Sequence, residues 1–178
     1  LIFAGNREQY EKALWLLENT DTLKKVVVFD PDIEPEKDGC ISWGNFLALD
    51  EGKHFEAELK YRMSEILTDD LVTIIYTSGT TGFSNAVMIT HNSLAANVRF
   101  AQNNMPLKPG DPVVSFLPLA HTYGCAFEFL FPFTFGCHIT ILTKTPSPQI
   151  LVQAFKEIKP RLILSVPLVI EKILHIWQ

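Results

Sequence analysis

The amino-acid sequence predicts an α/β fold, a largely parallel β-sheet flanked by helices. Three observations carry that expectation. Short apolar, β-branched runs alternate with stretches of helical periodicity about a dozen residues long, as in successive βαβ units. Hydrophobic residues make up 47% of the chain and charged residues 20%, enough to fill a core and too apolar for intrinsic disorder. No internal repeat or low-complexity tract interrupts the pattern, and a length of 178 residues makes one globular domain the default.

Taken in order, Tyr10, Ala13, Leu14 and Leu17 recur at helical spacing and predict a helix over Arg7 to Glu18. Val26 to Phe29 reads as a buried strand stopped by Asp30-Pro31, and Pro31 to Gly39 as a charged loop. Ser42 is a candidate N-cap for a short helix ending at Gly52, and a more polar helix is expected over Phe55 to Leu67. Leu71 to Tyr76, LVTIIY, has the length and composition of a central strand buried on both faces. After the loop Thr77 to Ser84, Val87 to Thr90 predicts a short strand and Asn92 to Asn103 a helix.

Further on, Val113 to Phe116 is a strand, His121 to Phe135 an aromatic-rich helix, and His138 to Leu142 a strand. Ser147-Pro148 is a cap and first-turn pair for a helix carrying Ile150, Leu151, Ala154, Phe155 and Ile158, which Lys159-Pro160 ends. Leu162 to Val166 is strand-like, and Pro167 opens the last helix.

The charge balance, 15 basic against 20 acidic residues, gives a formal charge of −5 and no support to a nucleic-acid binder. Cys40, Cys125 and Cys137 form no C-x-x-C pair for zinc or redox work, so no metal site is expected and a reduced, cytoplasmic setting is favoured. Cys125 and Cys137 read as small buried hydrophobes. Leu1 to Ala4 is too short for a signal peptide, and a start at Leu1 reads as a cut into a longer chain. The greasy region Val113 to Leu142 contains Pro118, His121, Glu128, Pro132 and Gly136, which argues against a membrane-spanning helix.

The chemistry concentrates at Thr77-Ser78-Gly79-Thr80-Thr81-Gly82, four hydroxyls and two glycines directly after an apolar strand. Glycines let backbone N–H groups converge and hydroxyls add rotatable donors, so a polyphosphate is the natural guest. A plain Ser/Thr/Gly turn between strands is the competing reading, and the position at the carboxyl end of a strand favours the ligand. A Walker loop is excluded, because no Lys-Ser/Thr pair follows Gly79 or Gly82 at that spacing, and G-x-G-x-x-G is absent.

YTSGTTGFSNAVMITHNSL, Tyr76 to Leu94, resembles the phosphate-binding signature of the adenylate-forming superfamily, which includes acyl-CoA synthetases, luciferases and peptide-synthetase adenylation domains. FLPLAHTYG, Phe116 to Gly124, resembles its second signature, and KPRLILSVPLVIEKI, Lys159 to Ile173, the segment that follows in long-chain fatty acid CoA ligases. The resemblance implies part of the large amino-terminal domain of such an enzyme, spanning residues 1–178. It implies activation of a fatty acid by Mg2+-ATP to an acyl-adenylate and pyrophosphate, then transfer to coenzyme A.

Residue by residue, Thr77, Ser78, Gly79, Thr80, Thr81 and Gly82 would cradle the ATP phosphates, where donors stabilise developing charge on the leaving pyrophosphate. His121 matches the position beside the acyl carboxylate and adenylate. Where the family continues with Pro or Ser, Lys and Gly, this chain has Ser84, Asn85 and Ala86. Asn85 thus removes a cation facing the triphosphate, a loss of about 1.5 to 3 kcal/mol, or roughly tenfold to a hundredfold. Lys144, Lys156 and Lys159 read as solvated surface residues and not as substitutes.

The resemblance also places Gln178 ahead of the family's Y-G-x-T-E segment, its ribose-binding aspartate and the domain with its catalytic lysine, so the chain alone is expected to be inactive. The alternative is a noncatalytic relative that binds nucleotide or acyl groups. A fatty substrate further implies peripheral membrane contact of the full-length enzyme, although no basic amphipathic anchor is present here. Phe127, Phe129, Phe131, Phe133 and Phe135 alternate, and core packing outweighs an acyl-tunnel lining for them. Glu128, among them, stays open between a paired, an edge-exposed and a functional carboxylate.

Overall fold

The computed structural model describes residues 1–50, 52, 54–78, 84–142 and 146–174. Two compact units divide the chain, Leu1–Glu65 and Ile66–Gln178.

In the first unit, β1 (Ile2–Ala4), β2 (Val26–Val28) and β3 (Cys40–Ser42) form a parallel sheet with β2 in the middle, Val27 lying opposite Phe3 on one side and Ile41 on the other. The helix α1 (Arg7–Asn19) packs Tyr10, Ala13, Leu14 and Leu17 onto Ala4, Val26, Val28 and Cys40. It starts at Asn6, whose side chain accepts the Gln9 N–H. Ser42 caps α2 (Trp43–Leu47) by accepting the Asn45 N–H, and a single 3-10 turn, Ala48–Asp50, follows. The helix α3 (Glu56–Glu65) carries no buried residue.

In the second unit, β4 (Leu71–Ser78) and β5 (Ser84–Thr90) pair antiparallel, and Thr90 caps α4 (His91–Asn104). β6 (Pro112–Ser115) and β7 (His138–Ile141) pair parallel, and Leu162 extends them by one parallel bridge to Val113. Between them run a π-helical segment, Gly124–Leu130, and α5 (Phe131–Thr134). After β7 come α6 (Pro148–Ile158), with Pro at its start and Lys159 in the left-handed conformation at its end, and α7 (Pro167–Leu174).

Successive side chains of a strand point to opposite faces, and β6 uses both. Val113 packs with Val98 and Ala101 of α4 and with Phe131, whereas Val114 packs with Leu151 and Ala154 of α6. Helices therefore cover both faces of this strand pair. Complete burial of Phe131 contributes about 1.5 to 3 kcal/mol relative to leaving it exposed.

Four local expectations change. Burial on both faces belongs to Val26, Val27 and Val28, not to Leu71 to Tyr76, where Leu71, Ile74 and Tyr76 are exposed. An apolar run reveals a strand but not how many neighbours cover it: β2 has a strand on each side, while β5 is the partner of β4 among the described residues. Leu162 to Val166 contributes a bridge instead of a strand. The aromatic alternation lies on a helical segment, where residues two apart cannot share a face. Phe127, Phe131 and Phe135 join the core, and Phe129 stacks on the exposed Phe133. Finally, Cys125 and Cys137 are half-buried. Desolvation, seconded by the Asp111 carboxylate, raises the Cys137 thiol pKa, so this thiol is protonated near neutrality.

Candidate functional site

The first group of expected site residues lies at the tip of the β4–β5 hairpin. Thr77 pairs opposite Asn85, and Ser78 opposite Ser84. Cross-strand partners have side chains within reach of one another, so Thr77 and Asn85 flank the same end of the ladder. Gly79, Thr80, Thr81 and Gly82 lie outside the described residues. Thr77 and Asn85 are both exposed.

The second group begins where β6 ends. Past Ser115 the chain leaves the sheet, turns at Pro118, and enters the helical segment that follows His121. The His121 N–H donates to the Pro118 carbonyl at 3.0 Å, and the His121 carbonyl accepts from Cys125 N–H at 3.0 Å. Gly124 presses against the same Pro118 carbonyl: a Cβ there would stand 2.6 Å from its oxygen. Only glycine allows so close an approach.

The imidazole is also held. The Tyr123 N–H reaches His121 Nδ1 at 3.2 Å. A backbone N–H can only donate, so Nδ1 of the neutral ring is the acceptor and Nε2 carries the proton. His121 is therefore prepared as a hydrogen-bond donor through Nε2.

His121 lines a cavity of about 530 Å³ together with Leu117, Pro118, Tyr123, Ser165 and Val166. Ser165 and Val166 come from the third sequence segment, so the second and third segments are walls of one pocket. Thr77 and Asn85 are not among the described residues lining it. The wall is mostly apolar, with His121, Tyr123 and Ser165 as its residues bearing polar side-chain groups, a setting for an apolar body carrying a polar end. A larger cavity, about 780 Å³, lies in the first unit beside Phe29 and Trp43. Asp30, Glu34 and Glu36 line it, and their charge opposes a polyphosphate.

Glu128 behaves differently from every other acid described. It is fully buried, and its Oε2 accepts the Phe116 N–H at 2.8 Å and the Leu117 N–H at 2.7 Å. Desolvation raises its pKa, opposed by these two N–H donors and by the nearby Ser115 hydroxyl. That hydroxyl stops short of hydrogen-bond geometry, and both Ser115 Oγ and Glu128 Oε1 lack a hydrogen-bond partner among the described residues. Of the three readings the sequence left open for Glu128, burial excludes the edge-exposed one, and the partners of the carboxylate are two backbone N–H groups. Nothing local foretells the pairing beyond a lone acid in an apolar helix.

Among the described residues no group of three or more His, Cys, Asp or Glu side chains comes together as a metal site, and no helix is long and apolar enough to cross a membrane.

The family described as AMP-binding enzyme matches residues 3–177. The chain is 27% identical over 177 residues to the long-chain-fatty-acid–CoA ligase ACSBG2 of Gallus gallus, covering 97% of this chain and 23% of that protein. It is 33% identical over 167 residues to long chain acyl-CoA synthetase 5 of Arabidopsis thaliana, covering 87% of this chain and 24% of the relative. The chain thus spans about a quarter of the length of these curated relatives. In fold it is similar to ATP-bound MatB from Rhodopseudomonas palustris, with a TM-score of 0.59 and 21% identity over 93% of this chain and 33% of that one.

Proposed function

The chain belongs to the AMP-binding enzyme family, and from that membership we propose that it carries the phosphate loop and part of the acyl pocket of an ATP-dependent carboxylate-activating enzyme, a long-chain fatty acid CoA ligase. Both units are read as parts of that enzyme's large amino-terminal domain. The observation that carries the reading is His121, with Nδ1 engaged by Tyr123 N–H and Nε2–H free to donate, on the wall of a mostly apolar pocket.

An alkyl chain suits Leu117, Pro118, Tyr123 and Val166, and its carboxylate suits the Nε2–H of His121. In the reaction a carboxylate oxygen attacks the α-phosphorus of ATP, a P–O bond to the β-phosphate breaks, and pyrophosphate leaves. Donation from His121 orients the attacking carboxylate and then serves the oxygens of the acyl-adenylate. Thr77, Ser78, Gly79, Thr80, Thr81 and Gly82 hold the β- and γ-phosphates, with Asn85 beside Thr77 where the family's lysine would stand. A solved relative in fold binds ATP, which supports this assignment. Mg2+ would accompany the nucleotide, supplying positive charge to its phosphates. In the second half-reaction the thiol of coenzyme A attacks the acyl carbonyl and AMP leaves.

The favoured setting is cytoplasmic, with peripheral membrane contact through the fatty substrate. A second reading, a noncatalytic nucleotide- or acyl-binding relative, is favoured by Asn85 alone. ATP–pyrophosphate exchange by the full-length protein, with acids from acetate to palmitate, separates the two. Exchange restricted to long acids upholds the ligase; binding of Mg2+-ATP without exchange for any acid overturns it in favour of the second reading.

A further inference from the structure

We propose that Glu128 is a positioning residue for acid activation: by accepting the N–H groups of both Phe116 and Leu117, it fixes the turn that carries His121. This inference rests on the acid-activating reading given above.

Ser115 is the last residue of β6 and is paired with Ile141 of β7. The next two N–H groups, of Phe116 and Leu117, project as the chain departs from the ladder, and a buried N–H needs an acceptor. One carboxylate oxygen from the π-helical segment serves both, at 2.8 and 2.7 Å. The consequence passes along a short covalent path. Leu117 lines the pocket, Pro118 follows it, and the Pro118 carbonyl holds the His121 N–H. Any shift of Leu117 therefore moves the imidazole relative to the pocket.

The element supplying the carboxylate fits the same role. An α-helix turning onward from His121 would present its side chains with a period of 3.6, whereas the wider π turn of Gly124–Leu130 alters which residue faces β6. Glu128 is the residue brought to bear. The groups acting on its carboxyl are the Phe116 and Leu117 N–H groups and the nearby Ser115 hydroxyl, so no described cation accounts for retaining an acid there. Two backbone donors account for it directly. Glutamine has an oxygen of the same reach and satisfies both donors; leucine fills a similar volume and satisfies neither.

The test uses the full-length protein with Glu128→Gln and Glu128→Leu, measuring palmitate-dependent ATP–pyrophosphate exchange and amide hydrogen exchange together. The expected result has Gln within about threefold of wild type in kcat, and Leu at least about tenfold lower with KM for ATP unchanged. Amides of Phe116 to Gly124 exchange faster in Leu, while Val113 to Ser115 keep their protection. Equal kcat in Leu and wild type overturns the positioning role alone, as does an equal loss in Gln and Leu. Loss of protection at Val113 to Ser115 in Leu also overturns it, by showing that Glu128 serves only the fold. A wild type without exchange for any acid overturns the acid-activating reading, and the role of Glu128 in it, together.

Discussion

The backbone N–H of Tyr123 donates to Nδ1 of His121, two residues earlier in the chain. This local hydrogen bond thereby chooses the tautomer of the ring and leaves Nε2 as its proton-bearing nitrogen. The N–H of His121 is itself tied to Pro118, so ring and backbone are fixed by neighbouring turns of one loop.

Replacing His121 with alanine removes the donor proposed to serve a charged substrate oxygen, while leaving the backbone N–H of residue 121 bonded to Pro118 O. Hydrogen bonds to charged groups are worth about 1.5 to 3 kcal/mol, so acid-dependent pyrophosphate exchange should fall roughly tenfold to a hundredfold. Steady-state exchange with saturating ATP checks this. A rate within twofold of wild type would remove His121 from the chemistry.

Asn85 pairs opposite Thr77, beside the loop proposed to hold the ATP phosphates. Asn85→Lys should raise ATP-dependent activity of the full-length protein, by up to the same tenfold to hundredfold that the missing cation represents, about 1.5 to 3 kcal/mol. Kinetics at varied ATP measure it. An unchanged rate would mean that another group already supplies the charge.

Gly124→Ala should destabilise the fold, because its Cβ would stand 2.6 Å from the Pro118 oxygen, a backbone atom that cannot swing away. Forcing such an overlap costs typically about 1 to 3 kcal/mol. Thermal unfolding with palmitate-dependent exchange on the same sample reads both effects, and the loss of activity should exceed the loss of folded protein, since the Pro118 turn orients His121.

Glu128 gives the stability a defined pH dependence. Burial raises its folded-state pKa above the ordinary 4.5, so between that value and the raised one the folded protein holds more protons than the unfolded chain. Its contribution is therefore fully present below about 4.5 and is lost as pH rises through the folded value. Glutamine does not titrate. The stability of Glu128→Gln relative to wild type should increase as pH rises from about 4.5 and level off above the folded pKa, as followed by denaturant unfolding at stepped pH. A difference that stays flat across that range would show that burial leaves this carboxyl unperturbed.

Much of the local structure is legible along the chain. The helices α1, α4 and α6 follow the apolar periodicity, and Ser42 and Ser147 cap the helices they were expected to cap. Asn6 and Thr90, also caps, are less visible because each sits within a polar stretch with several candidate oxygens. The strands β1 and β3, only three residues each, carry too short a pattern to declare themselves; their stability comes from lying on either side of Val26 to Val28.

Sequence by itself determined the helix spans, the helix stops, and the chemistry on offer: hydroxyls and glycines from Thr77 to Gly82, an imidazole at His121, and an amide at Asn85 where the resemblance leads one to look for a cation. These are properties of residue type and near-neighbour spacing. Tertiary structure decided which strand is buried on both faces, that Leu117, His121 and Ser165 share one cavity, and that Glu128 serves Phe116 and Leu117. Each of those depends on segments meeting after the chain has turned. The period of a helix states which residues share its face, but not which backbone donors the neighbouring strand will leave without a partner.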